Sequence, residues 1–185
     1  MLILASASPR RHELLVAAGI DHVVAPTHVP ELRGREEAAE DFVVRLAVEK
    51  ATAVSVSGKD VVLAADTAVC VDGEIFGKPV DLADADRMIR VLSGRTHLVH
   101  TGICLRSETR AVTDISTTEV EFLPLSDSEI QEYTRSGEGI DKAGAYGIQG
   151  RASRFVKSVR GSYHNVVGLP VALVYLHLKS LLVNV

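Results

Sequence analysis

Cysteine is almost missing from this chain of 185 residues, with Cys70 and Cys104 the only two. Both sit in apolar runs, Ala68-Val69-Cys70-Val71 and Gly102-Ile103-Cys104-Leu105, and neither belongs to a Cys-x-x-Cys pair or a zinc-spaced cysteine–histidine cluster. A disulfide scaffold and a structural zinc site are thereby excluded, and two buried free thiols are expected. An excess of positive charge is missing as well. The 20 Lys and Arg residues against 24 Asp and Glu leave a net charge of -4, which argues against nucleic acid or an anionic membrane as partner. If such a chain binds phosphates, it does so with a few placed cations. No apolar run approaches the roughly 18 residues of a membrane span. The run Met1–Ala5 is too short for a secretion signal and ends in Ser-Pro-Arg-Arg, so the cytoplasm is the expected location. The 7 histidines show no metal-ligand spacing and receive no catalytic role. Repeats, linkers and low-complexity segments are absent too, and residues 1–185 read as one domain.

What is present alternates between strand and helix patterns. Leu2–Ala5 reads as a short buried strand, followed by a helix from Ser8-Pro9 to Ala18 with Gly19 as its stop. His22–Ala25 reads as a strand. Glu36–Val54 is the clearest helix, with Ala39, Phe42, Val43, Leu46, Ala47 and Val54 at helical spacing and Arg45 placed to pair with Glu49. Val61–Ala65 predicts a buried strand that stops at Asp66-Thr67. Asp72-Gly73 predicts a hairpin between Ala68–Val71 and Glu74–Phe76. Helices are expected over Asp84–Leu92, Ser126–Arg135 and Pro170–Leu182, and strands over His97–Leu105, Val112–Phe122 and Phe155–Val159. Together these predict an α/β fold with a mixed sheet.

Five segments carry candidate chemistry. In Ser6-Ala7-Ser8-Pro9-Arg10-Arg11, two arginines occupy the first turn of a helix, where cations cost about 0.3–1 kcal/mol each unless an anion is present. Such a turn offers backbone N–H groups, two hydroxyls and guanidinium groups to a phosphate; it reads equally well as a plain Ser-Pro helix start. Asp66, after a buried apolar run, suits a general base or metal ligand, or closes the strand by an Asx turn. Lys78, held between Gly77 and Pro79, suits a phosphate oxygen or is an exposed loop lysine. Gly137–Gly150 holds five glycines, which allow close backbone approach; Gln149 could read a base edge there, or the segment is a surface loop. Gly161–Pro170 leads into a helix, or is structural punctuation. Lys50 adds a further signal, because it falls on the apolar side of its helix, where an unpaired cation is costly.

Taken together, these segments resemble the Maf family of nucleoside triphosphate pyrophosphatases. The likeness runs in order through Ser6-x-Ser8-Pro9-Arg10-Arg11, Arg45-Leu46-Ala47-x-x-Lys50-Ala51, Ala65-Asp66-Thr67, Asp72-Gly73-Glu74 with Gly77-Lys78-Pro79, Leu92-Ser93-Gly94, Asp141–Gly150 and Gly161–Pro170. It implies a long mixed sheet flanked by helices, with two lobes around a central cleft as in inosine triphosphate pyrophosphatases. It implies cleavage between the α and β phosphates, a divalent cation (Mg2+ or Mn2+), a nucleoside triphosphate as partner and often a homodimer. The family's proton acceptor falls on Asp66. The Gly-Ala-Tyr-Gly-Ile-Gln run is similar to the subgroup acting on dTTP and UTP, whose specificity residues fall on Arg10, Thr67 and Gln149. The expected phosphate contacts are Arg10, Ser6, Ser8, Lys50 and Lys78, and the expected metal ligands are Asp66 and Glu31. The family often has two acids before the second helix; here Pro30 occupies the first position and Glu31 the second. A 7-methyl-GTP pyrophosphatase, a general phosphatase and a nucleotide-binding regulator of septum formation with little turnover are the alternatives.

Overall fold

The computed structural model describes residues 1–182. The strands are β1 (Leu2–Leu4), β2 (Val23–Val24), β3 (Val61–Val71), β4 (Glu74–Phe76), β5 (Thr96–Arg106), β6 (Ala111–Phe122) and β7 (Val156–Arg160). The helices are α1 (Pro9–Ala17), α2 (Ala39–Thr52), α3 (Leu82–Leu92), α4 (Asp127–Arg135), α5 (Tyr163–Val167) and α6 (Val171–Leu182). Hydrogen-bonded strand order is β2-β1-β3-β5-β6-β7, with β4 pairing off β3, a sheet of 7 strands. It is mixed, as expected: β1 runs parallel to β2 and β3, whereas β4 and β7 pair antiparallel. The described residues divide into two compact units, one of residues 1–66, 101–116 and the segment from 168 onward, the other of 67–100 and 117–167. Among the described residues no helix is long and apolar enough to cross a membrane.

In the first unit, Ile3, Ala5, Ala47, Ala51, Val62, Ala64 and Cys104 form a buried cluster. The small side chains on α2 and β3 let the helix lie close to the sheet. The two backbones approach closely at Gly102 of β5, where a Cβ would fall 2.6 Å from the Val43 carbonyl. Helix backbone thus rests on strand backbone, and that seat sets the height of Lys50, two turns further along α2.

The second unit gathers most of its aromatic residues into one edge-on cluster. Phe122 meets His97 at 5.0 Å and Tyr146 at 4.8 Å between ring centroids, and Phe155 meets Tyr133 at 5.3 Å. Burial pushes the His97 imidazole down to about 4. The unfolded chain therefore takes up a proton at His97 at a pH where the folded chain does not, so this group costs stability as pH falls from about 6.5 toward 4. In NMR titration of the folded protein, the His97 ring signals are expected to stay constant between about pH 5.5 and pH 9.

Several elements differ from expectation for identifiable reasons. β3 does not stop at Ala65. It passes unbroken through Asp66 and Thr67, because Lys50 takes up the Asp66 carboxylate and no turn is needed to solvate it. α2 spans Ala39–Thr52 rather than Glu36–Val54, since the Glu37 carboxylate is engaged with Arg45 and Gly34 N–H outside the helix. α3 begins two residues early, at Leu82, with Asp81 accepting from Asp84 N–H at 2.8 Å as its N-cap. Residues 163–167 of the loop before Pro170 form a helical turn, α5. Cys104 is buried, but Cys70 only half-buried. The Asp72-Gly73 hairpin forms with both residues at positive φ (50° and 81°), as a tight turn between β3 and β4 requires. Ser126 caps α4 through a full capping box with Glu129.

Candidate active site

Five charged or polar side chains meet in the first unit. The sequence between β1 and α1 turns sharply: Ser8 N–H donates to Ser6 Oγ at 3.2 Å, and Pro9 starts the helix. Ser8 sits at the N-cap without a side-chain cap bond, and the first turn of α1 holds no acid. This start leaves the helix dipole uncompensated by any carboxylate of its own turn, as an anion site requires.

Arg11 turns inward from that helix. It is buried, and its Nε donates to Gly168 O at 2.7 Å while Nη1 donates to Ala65 O at 2.7 Å and Ser6 Oγ at 3.3 Å. One guanidinium therefore ties the opening turn to β3 and to the segment before α6. Burial lowers its pKa, and the carboxylates of Asp66 and Glu31 act the other way. Arg10, its neighbour, is half-buried.

Lys50 is 7% exposed, and its burial on α2 is offset by two carboxylates. Nζ donates to Asp66 Oδ1 at 2.5 Å and to Glu31 Oε1 at 2.7 Å. Asp66 is 6% exposed. Its carboxyl is pushed above the usual carboxylate range chiefly by burial, with the cations of Lys50 and Arg11 pulling it back. The Lys50 bond occupies Oδ1 of this buried group, whose affinity for a proton is raised, as a general base requires.

The loop carrying Glu31 is held by Arg45. Its Nε and Nη2 grip both oxygens of Glu37 at 2.6 and 2.8 Å, and Nη2 also donates to Leu32 O at 2.9 Å. The expected Arg45–Glu49 pair forms at 2.8 Å. Arg45 holds the Glu37 carboxyl down to about 2.

The structure thus brings Ser6, Glu31, Lys50 and Asp66 together, with Ser8 and Arg10 on the adjoining turn. Thr67, the next residue on β3, is half-buried, and Lys78 and Gln149 are exposed; these three belong to the second unit. Sequence reasoning undervalued Arg11. A second arginine in a helix's first turn looks solvated, and only the i, i+3 relation to Leu14, on the buried face of α1, signalled its inward direction.

A family model described as Maf-like protein matches residues 1–181. The dTTP/UTP pyrophosphatase of Koribacter versatilis is 51% identical over 175 residues, 94% of this chain and 91% of that protein. The protein of the same name in Symbiobacterium thermophilum is 51% identical over 171 residues, 92% and 88% of the two chains. That of Bacillus anthracis is 43% identical over 185 residues, 100% and 97%. Among solved structures, the Ham1 protein of Staphylococcus aureus aligns with a TM-score of 0.44 and 16% identity, over 65% of this chain and 71% of its own.

Proposed function

The chain belongs to the Maf family, and on that premise we propose that it hydrolyses dTTP and UTP to the nucleoside monophosphate and pyrophosphate. The observation that carries this reading is the buried Asp66 beside Lys50 and Arg11, in a chain 51% identical to a dTTP/UTP pyrophosphatase over nine-tenths of its length. Asp66 accepts a proton from water as the water oxygen bonds to the α-phosphorus. The bond from that phosphorus to the bridging oxygen breaks, and pyrophosphate leaves in line. Arg10, Ser6, Ser8, Lys50 and Lys78 hold the phosphates. Ser6 Oγ already accepts from Ser8 N–H and Arg11, so its own hydroxyl hydrogen remains to donate to a phosphate oxygen. Arg10, Thr67 and Gln149 select the nucleotide.

The family implies a divalent cation, and the donors here suit one. The Lys50 ammonium lies between Glu31 and Asp66, so these two carboxylates already share one positive centre, and hard oxygen ligands favour Mg2+ or Mn2+. Among the described residues no group of three or more His, Cys, Asp or Glu side chains converges. Glu31 and Asp66 would therefore hold the ion together with water and phosphate oxygens. When bound, it neutralises charge developing on the phosphoryl group.

The test is a panel of nucleoside triphosphates with added Mg2+ or Mn2+ and identification of products. The expected outcome is pyrophosphate with UMP or dTMP, and kcat/KM highest for UTP and dTTP. Preference for 7-methyl-GTP would overturn the substrate assignment, release of orthophosphate would identify a general phosphatase, and binding without turnover would identify a nucleotide-binding regulator.

A further inference from the structure

Gln149 lies in a short segment of the second unit that is gripped on both sides. Three residues before it, the Tyr146 hydroxyl bonds His97 Nε2 at 2.8 Å. Two residues after it, Arg151 N–H donates to Glu138 Oε2 at 3.1 Å. The glycines on either side are pressed at their Cα atoms. A Cβ at Gly147 would fall 2.7 Å from the Lys142 side chain, and one at Gly150 would fall 2.2 Å from Glu138 Oε1. Lys142 is fixed in turn, with Nζ donating to Glu138 O at 2.5 Å and Asp141 Oδ1 at 2.6 Å. Tyr146 and His97 are buried, whereas Gln149 itself is exposed. An exposed side chain thus sits on a backbone held from both sides.

The frame is also polar where packing alone would not ask for it. His97 Nδ1 and Glu138 Oε1 are buried without a hydrogen-bond partner among the described residues. Leaving such an atom unpaired is unfavourable, so apolar side chains would close this loop with less penalty. An exposed amide discriminates between donor and acceptor edges only if its backbone is held to a fraction of an ångström.

We propose that Glu138 and His97 are positioning residues for nucleotide selection, holding the Arg151 N–H and the Tyr146 hydroxyl so that the Gln149 amide meets the base in one orientation. The inference rests on the reading of Gln149 as the base-recognising group. Neither residue takes part in the chemical step.

The experiment compares kcat and KM for UTP and CTP, whose rings differ in donor and acceptor at one edge. Glu138→Ala and Tyr146→Phe are each expected to lower the UTP-to-CTP ratio of kcat/KM on the order of tenfold, through KM for UTP with kcat little changed. Glu138→Gln keeps a carbonyl for the Arg151 N–H and is expected to retain the ratio. A merely structural role would instead lower kcat for both nucleotides together and leave the ratio intact, which overturns the inference. Gln149→Ala separates the two levels. If it leaves the ratio unchanged, the reading of Gln149 fails and the inference with it. If it collapses the ratio while Glu138→Ala and Tyr146→Phe do not, only the positioning role fails. Should Glu138→Ala not fold, Tyr146→Phe, which removes a single oxygen, decides the matter.

Discussion

Asp66→Asn is expected to lower kcat for UTP by about a hundredfold or more while leaving KM within a few fold. Asparagine keeps the size of the side chain and an oxygen for Lys50 Nζ, so nucleotide binding survives; what disappears is the carboxylate proposed to accept the proton from water and to help hold the cation. The fold should survive as well. Burial already pushes this carboxyl toward its neutral form, so a neutral amide suits the position, and Glu31 still pairs with Lys50. Steady-state kinetics alongside thermal unfolding checks both halves, and normal turnover by the variant would falsify the assignment. The pH dependence follows with a definite sign. As the proposed base, Asp66 must be ionised to work, so kcat/KM is expected to fall as pH drops through its pKa, which burial raises and the neighbouring cations lower. That fall should vanish in Asp66→Asn.

Arg11→Met is expected to cost about 3–5 kcal/mol of stability, read as a lowered midpoint in urea unfolding. The substitution fills similar volume but strips donors from Gly168 O, Ala65 O and Ser6 Oγ together. It also removes a buried cation acting on Asp66. Arg11→Lys should recover little of the loss, because one ammonium cannot reproduce donors at both Nε and Nη1. A midpoint within experimental error of the parent would show that the guanidinium is dispensable. Arg10, the neighbouring arginine on the same turn, is half-buried where Arg11 is buried.

Much of the fold was legible because local chemistry agreed with the final structure. The Asp72-Gly73 turn, the Ser126 capping box and the apolar face of α2 each announce themselves within a few residues. What could not be read locally was settled by distant partners. Asp66 looks like the end of a strand, since a charge after a buried run should seek water. It continues in the strand because Lys50, 16 positions away, neutralises it. Glu37 looks helical until Arg45 draws it away from the start of α2. At the candidate site the same division holds. Lys50 was visible as a cation on an apolar face, and Asp66 as a carboxylate after a buried strand. Their mutual contact, and the share Glu31 takes in it, depend on three segments folding together. The aromatic surroundings of Tyr146 gave no sequence signal at all, for His97, Phe122 and Phe155 follow no common spacing.

The seat of α2 on Gly102 has an evolutionary consequence. Where a helix is separated from a sheet by side chains, each apolar substitution in that layer shifts the helix slightly, and any group it carries shifts with it. Here backbone touches backbone, and no side-chain layer intervenes at the point of support. Apolar positions outside the contact between α2 and β3 then tolerate exchange among side chains of similar volume, whereas Ala47, Ala51 and Ala64 have to stay small. The tolerance ends at Gly102 itself, where even one methyl group would lift the helix and draw the two charges apart.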